Sequence, residues 1–95
     1  MSLKSEGFES LCWAIAAAKT HGELQSFLRD LCTPKELDAM VGRWQVCRLL
    51  NMGQLSYREI HRITGISLVT IGRISRCLNE NGGYKKILNY LERKE

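Results

Sequence analysis

The sequence predicts an all-α protein. Only one proline, Pro34, occurs among its 95 residues, and no stretch alternates apolar and polar residues for long enough to make a strand. Apolar residues recur instead at helical spacing, most plainly at Leu24, Phe27, Leu28 and Leu31, which follow the i, i+3, i+4, i+7 pattern. The length is sufficient for one domain, residues 1–95, and not for two.

Caps and breakers divide the chain into six helices. The clearest start is Thr33-Pro34-Lys35-Glu36, where a threonine cap precedes a proline at the first helical position and a glutamate at the third. The segment Thr20-His21-Gly22 is expected to separate the first helix from the second, and Gly53 is expected to end the third helix. The segment from Asn79 to Gly83 is expected to turn before the last helix. The predicted helices are 8–19, 23–31, 34 to about 52, 57–63, 68–79 and 84 to about 93.

The charge is unevenly distributed along the chain. The net charge is +4, but residues 1–42 carry four basic and six acidic side chains, whereas residues 43–95 carry ten basic and four acidic ones. A basic half attached to a mildly acidic half is typical of a domain with one side that faces phosphate groups. The distribution therefore favours a nucleic acid as partner.

Several other classes of protein are disfavoured. The four cysteines show no C-x-x-C pair, so we expect no metal site and no cofactor, and we interpret the cysteines as reduced core residues of a cytoplasmic protein. No apolar run approaches the roughly 18 residues of a membrane span, and no signal peptide is evident. The two histidines, His21 and His61, lack a carboxylate at a useful spacing, so we expect no catalytic residues and no enzyme.

The segment 56–74 has the pattern of a helix-turn-helix. Ser56 caps one short helix, Ser67 caps the next, and Gly65 between them supplies the positive φ that a sharp turn needs. His61 stands where many such proteins keep a small residue, which implies a different inter-helix angle or an outward side chain. The inner face is predicted to consist of the isoleucines Ile60, Ile63, Ile66, Ile71 and Ile74.

The outer face of this motif is basic at its edges and slim at its tip. Such a face fits the major groove of DNA, which is about 12 Å wide, whereas large apolar anchors there would favour the alternative, a helical module that binds another protein. The predicted DNA-binding residues are Arg58, His61, Arg62, Ser67, Leu68, Val69, Thr70, Gly72, Arg73 and Arg76.

Residues 32–79 resemble the Trp repressor superfamily, and most closely its Trp-repressor-like YerC/YecD group of small bacterial proteins. The resemblance lies in Thr33-Pro34-x-Glu36, Ala39, Gly42-Arg43, Leu49-Leu50-x-x-Gly53, Ser56-x-Arg58-Glu59-Ile60, Gly65 and Thr70-Ile71-x-Arg73. It implies six helices per chain and an intertwined homodimer, built by residues 1 to about 53. The helix-turn-helix heads at about 54–79 would lie about 34–36 Å apart on double-stranded DNA, with 80–95 as the C-terminal helix.

The resemblance also implies a site for a small co-repressor. In that family two arginines enclose the indole of tryptophan, and they correspond to Arg43 and Arg73 here. Thr33 would lie near the ligand's carboxylate, and Cys77 replaces a serine that holds its amino group. Bulky Trp44 and Ile74 stand beside this site, and overpacking of such a slot is unfavourable.

We therefore expect a sequence-specific transcriptional regulator, with repression as its mode, that binds DNA without tryptophan. In this hypothesis Trp44 and Ile74 fill the co-repressor site themselves. A tryptophan-dependent repressor is the remaining alternative, together with the protein-binding module.

Overall fold

The computed structural model describes residues 3–80 and 82–94 of the chain. Within these ranges there are six helices and no strand, which confirms the all-α prediction. The turn predicted at 79–83 includes Asn81, which lies outside the described residues. The helices are α1 (Leu3–Ala16), α2 (His21–Leu31), α3 (Pro34–Met52), α4 (Tyr57–Thr64), α5 (Leu68–Asn79) and α6 (Gly83–Lys94).

The first two helices differ from their predicted limits. α1 begins at Leu3 and ends at Ala16, so the prediction that it spans 8–19 was wrong at both ends. α2 begins at His21 because Thr20 caps it: the Thr20 hydroxyl accepts a hydrogen bond from the Glu23 amide at 3.1 Å. The Glu23 carboxylate in turn accepts one from the Lys19 amide at 2.8 Å. The segment 20–22, predicted to interrupt the helices, is therefore the start of α2. The prediction missed this because the polar residues that cap a helix are also those that favour turns.

Reciprocal capping starts α3 and α4. The Thr33 hydroxyl accepts from the Glu36 amide at 3.2 Å, and the Glu36 carboxylate accepts from the Thr33 amide at 2.8 Å. Ser56 and Glu59 repeat the arrangement at 3.1 and 2.9 Å. Each box satisfies two backbone donors that a helix start otherwise leaves unpaired. These two boxes fix where the chain enters α3 and α4.

The capping glutamates predict an acid-sensitive fold. Hydrogen bonds from the backbone and side chain of Ser56 hold the pKa of Glu59 below its ordinary value of 4.5, and Thr33 does the same for the pKa of Glu36. A lowered pKa stabilises the fold above pH 4.5, and this contribution is lost as the pH falls through the lowered value. In Glu59→Gln we expect the free energy of unfolding, measured by urea titration, to depend less steeply on pH below 4.5.

Ser56→Ala provides the graded comparison for that experiment. It removes the side-chain hydrogen bond to Glu59 but keeps the backbone one, which is the larger cause of the lowered pKa. Its pH dependence should therefore lie between that of the wild type and that of Glu59→Gln. An identical acid slope in all three proteins would show that this capping box does not contribute to acid sensitivity.

The chain divides into two compact units, residues 1–37 and 38–95. The described part of the first unit contains no buried hydrophobic residue, and Phe8 and Trp13 in α1 are 69% and 73% exposed. The second unit contains a hydrophobic core to which α3, α4, α5 and α6 all contribute. The buried residues of this core are Val46, Cys47, Ile60, Ile71, Ile74, Leu78 and Leu88.

Some predicted core positions are exposed. Ile63, assigned to the inner face of the helix-turn-helix, is 61% exposed. α4 has only eight residues and buries a narrow face through Ile60 and Thr64. Ile63 lies about 100° around the helix from Thr64 and so falls at the edge of that face. In α6, the apolar side chain of Leu88 is buried, whereas those of Ile87 and Leu91 are about half exposed.

The cysteines are free and differ in burial. Cys47 lies in the core, where burial raises the pKa of its thiol. Cys12 is exposed, and Cys32 and Cys77 are half-buried. The interpretation of the cysteines as core residues therefore holds for Cys47 and is wrong for Cys12. The small side chain of a cysteine is compatible with a buried or an exposed position, so the sequence did not distinguish Cys47 from Cys12.

Candidate nucleic-acid interface

The turn between α4 and α5 is held by hydrogen bonds from α4. Gly65, at φ 75°, ends α4 in the left-handed region and donates its amide to the His61 carbonyl at 2.8 Å. The Thr64 hydroxyl donates to the Ile60 carbonyl at 2.7 Å and accepts from the Ile66 amide at 3.2 Å. The single hydroxyl of Thr64 thus links the last turn of α4 to the first residue after Gly65.

His61 fixes the same turn from the other side. Its Nδ1 lies 2.7 Å from the Ile66 carbonyl oxygen, and because a carbonyl only accepts, Nδ1 carries the hydrogen. Thr64 and His61 together bind both the amide and the carbonyl of Ile66. His61 is exposed, in agreement with the expectation of an outward side chain, and its imidazole reaches across the turn to Ile66.

The positive φ of Gly65 predicts a specific cost of substitution. A Cβ built on Gly65 meets no atom within 4 Å, so the strain of an added side chain comes from the backbone alone. We expect Gly65→Ala to lower the free energy of unfolding by about 1–2 kcal/mol, measured by chemical denaturation, and Gly65→Asn to lower it less, since asparagine tolerates this region.

Gly72 supplies the matched control for that substitution. It lies inside α5, and its added Cβ would make only an ordinary contact, 3.8 Å from Arg76 Nη1. Gly72→Ala is therefore expected to stabilise the fold by about 1 kcal/mol through helix propensity. Equal effects of alanine at both glycines would contradict the assignment of Gly65 to a conformation that the turn requires.

Contacts with α3 and α4 set the position of α5. In α3, a Cβ added to Gly42 would lie 2.9 Å from Ile66 Cδ1, so the missing side chain of Gly42 leaves room for Ile66 beside the turn. The Tyr57 hydroxyl donates to Ser75 Oγ at 2.6 Å and joins the start of α4 to the middle of α5. Ile71 and Ile74 are buried beneath α5, so its opposite face points outward.

The structure places the predicted DNA-binding residues on the outer side of α4 and α5. Thr70 and Gly72 are half-buried, and the other eight are exposed. The four arginines of this set carry a concentrated positive charge, and Arg62 lies near enough to Glu59 to contribute to the lowered pKa of that carboxyl. The exposed residues are Arg58, His61, Arg62, Ser67, Leu68, Val69, Arg73 and Arg76.

The residues predicted to bind a co-repressor are placed less uniformly. Arg43 and Arg73 are exposed, and Cys77 lines an apolar cleft of about 580 Å³ together with Trp44, Gly83, Tyr84 and Ile87. Thr33 belongs to the first unit, and its hydroxyl is engaged in capping α3. Ile74, which was expected to fill the site, lies in the core at 2% exposure, while Trp44 is half-buried and packs against the core.

Sequence reasoning overlooked Tyr84. This residue lies in the first turn of α6 and packs against the core. Burial raises the pKa of its phenol, the thiols of Cys47 and Cys77 add to the rise, and the positive charges of Arg43 and Arg73 oppose it. Its ring therefore lies within electrostatic reach of both arginines. The signal available in the sequence was a single large side chain directly after Gly82 and Gly83 at a helix start.

Two further properties of the described residues bear on function. Within residues 3–80 and 82–94, no group of three or more histidine, cysteine, aspartate or glutamate side chains could hold a metal ion. None of the helices in these ranges combines the length and the hydrophobicity that a bilayer span requires.

Comparisons with known proteins identify the family. Residues 6–92 match the family model for the Trp repressor protein. Uncharacterized protein YerC of Bacillus subtilis (strain 168) is 34% identical over 94 residues, which cover 98% of this chain and 89% of that protein. A Trp operon repressor homolog of Aliivibrio salmonicida (strain LFI1238) is 34% identical over 80 residues, or 84% and 74% of the two chains.

A solved structure agrees in fold. The crystal structure of a TrpR-like protein from Eubacterium eligens ATCC 27750 superposes with a TM-score of 0.82 at 34% identity, and the match covers 95% of this chain and 93% of that one. The all-helical fold of this chain is thus shared with a TrpR-like protein. The family is one of regulators and not of enzymes. The chain belongs to the Trp repressor family, in its Trp-repressor-like YerC group.

Proposed function

We propose that this protein is a transcriptional regulator, acting as a repressor, that binds a specific DNA sequence as a homodimer and needs no tryptophan to do so. In this proposal α5 enters the major groove and α4 lies across its edge. The family to which the chain belongs supports regulation by DNA binding. The finer points, which are the binding mode, the dimer and the independence of tryptophan, rest on the side chains described above.

The main support for the proposal is that the turn between α4 and α5 is held by hydrogen bonds while the outer side of both helices is exposed. Thr64 and His61 bind both backbone groups of Ile66, so α5 is held at one orientation to α4. On the outer side, four exposed arginines flank the exposed tip of α5 along the chain, two before it and two after it. A reader of base edges requires this combination, because positioning contacts go to phosphates and the tip of the helix must fit between the strands.

The exposed apolar side chains of the first unit support a homodimer. Phe8 and Trp13 in α1 are more than two-thirds exposed in the single chain. A helix of this length is marginal by itself in water and gains its stability from packing. A second copy that covers these residues would supply the core that the described part of the unit lacks. The two heads of such a dimer would then meet two half-sites of a palindrome.

Selection from random DNA duplexes tests the proposal. Purified protein is incubated with the pool at about 50 and 200 mM salt, with and without tryptophan, and the bound duplexes are sequenced. We expect a palindrome to be enriched without tryptophan, with weaker binding at the higher salt because arginine contacts release counterions. A protein that enriches no sequence under any of these conditions is not the regulator proposed.

A protein-binding module is the second candidate. The exposed Val69 and Leu68 at the tip of α5 favour it, since apolar side chains there are what a protein partner would cover. The same selection separates the two candidates: a module that binds proteins gives no enriched palindrome and little dependence on salt.

Independence of tryptophan has its own measurement. Tyr84 lies within electrostatic reach of Arg43 and Arg73, and Trp44, next to Arg43 in the chain, packs against the core. We infer that these two aromatic side chains take the space beside the arginines that an indole would need. We expect isothermal titration of tryptophan into the protein to give no saturable heat in the micromolar range. Saturable heat, or a palindrome enriched only when tryptophan is present, would establish the tryptophan-dependent repressor instead.

A further inference from the structure

The first turn of α5 exposes apolar side chains toward the solvent. Val69 is 82% exposed and Leu68 is 46% exposed. Neither residue belongs to the core of the second unit, to which α5 contributes Ile71, Ile74 and Leu78 from its other side. An exposed valine at this position contributes almost nothing to folding, so its role is to be sought in what the helix binds.

The polar side chains next to these residues are engaged within the helix. The Ser67 hydroxyl accepts from the Thr70 amide at 3.2 Å and donates to the Thr70 hydroxyl at 3.0 Å. Ser67 thus uses its hydrogen within the protein, and Thr70 is half-buried. Farther along α5, the Ser75 hydroxyl accepts from Tyr57. The outermost groups of the first turn are therefore the methyl groups of Val69 and Leu68.

The charges around this apolar tip select its partner. Arg58 and Arg62 on α4 and Arg73 and Arg76 on α5 are all exposed, so a polyanion is favoured over an apolar protein surface. Among the edges that a duplex presents in its major groove, that of thymine carries a methyl group, and apolar side chains contact it. The apolar tip and its basic border thus match a thymine flanked by phosphates.

We propose that Val69, with Leu68 beside it, reads the 5-methyl group of a thymine in each half-site of the DNA. This inference rests on the proposed function and adds the kind of base that the tip of α5 selects. It assigns specificity at that position to contact between methyl groups, and positioning to the surrounding arginines.

Replacement of thymine by deoxyuridine tests the inference. The change removes the methyl group and keeps the base pair. Duplexes that carry the enriched palindrome are made with uracil at each thymine in turn, and the Kd is measured by fluorescence anisotropy. At one thymine per half-site we expect the Kd to rise about fourfold when one half-site is changed and about fifteenfold when both are changed.

Protein variants identify the side chain responsible. Val69→Ser removes both methyl groups, and because Val69 is 82% exposed we expect the variant to fold, which circular dichroism checks. On the thymine duplex it should weaken binding by a similar factor, whereas on the uracil duplex it should change little, because the contact is already absent. Ile63→Ser, at an isoleucine of α4 that is 61% exposed, is the control and should respond to uracil as the wild type does.

Each outcome decides the question. Loss of affinity on uracil substitution in the wild type and not in Val69→Ser supports the inference. A protein that binds its palindrome equally well with uracil at every position overturns the inference and leaves the proposed function intact. A protein that enriches no sequence overturns both, since no base is then read.

Discussion

Replacement of Trp13 by glutamate is expected to turn the proposed homodimer into a monomer at micromolar concentration. Trp13 is 73% exposed in the single chain, and buried tryptophans at interfaces contribute about 2 kcal/mol or more each. In a two-fold dimer one substitution acts twice, so the dimer Kd should rise about 1000-fold or more. Sedimentation velocity measures this directly, and DNA affinity should fall with it because the two half-sites are no longer bound together.

The control for this experiment is Gln54→Glu, which adds the same charge to an exposed residue between α3 and α4. That variant should remain dimeric. Phe8→Glu, at another exposed aromatic residue of α1, should dissociate the dimer as Trp13→Glu does. A wild-type protein that sediments as a monomer, or a Trp13→Glu variant that stays dimeric, would show that α1 does not form the interface.

Replacement of Arg58 by alanine is expected to weaken binding to the selected palindrome by about 1–3 kcal/mol at each half-site if Arg58 reads a base. Arg58 is exposed at the start of α4, next to the Ser56 cap that fixes this end of the helix. A guanidinium forms two hydrogen bonds with guanine, and an ammonium cannot reproduce that geometry. Arg58→Lys should therefore recover little of the lost affinity.

The distribution of the loss over DNA sequences shows which contact Arg58 makes. A base contact relaxes the preference at one position of the palindrome, whereas a phosphate contact weakens binding equally on all sequences and lowers the salt dependence. Arg48→Ala, at an exposed arginine of α3, is the control for the loss of one positive charge. An effect of Arg58→Ala no larger than that of Arg48→Ala would remove Arg58 from the DNA-binding surface.

The sequence by itself determined the helical fold, the capped starts of α3, α4 and α5, and the family. Thr33 and Ser56 each stand three residues before a glutamate, and these signals act within one turn, so α3 and α4 begin where the pattern predicted. Gly65 was identified because few residues other than glycine adopt a positive φ readily. Each of these features depends on neighbours along the chain.

Only the tertiary structure decided which apolar residues are buried and which side chains meet. Ile60 and Ile63 are the same residue type on the same short helix, yet one is buried and the other 61% exposed, because burial depends on where α3 and α5 lie. The hydrogen bond of Tyr57 to Ser75, and the electrostatic effect of Arg43 and Arg73 on Tyr84, likewise join residues that only the folded chain brings together. Pattern along the chain fixes local conformation, whereas burial and long-range contacts depend on how the helices pack.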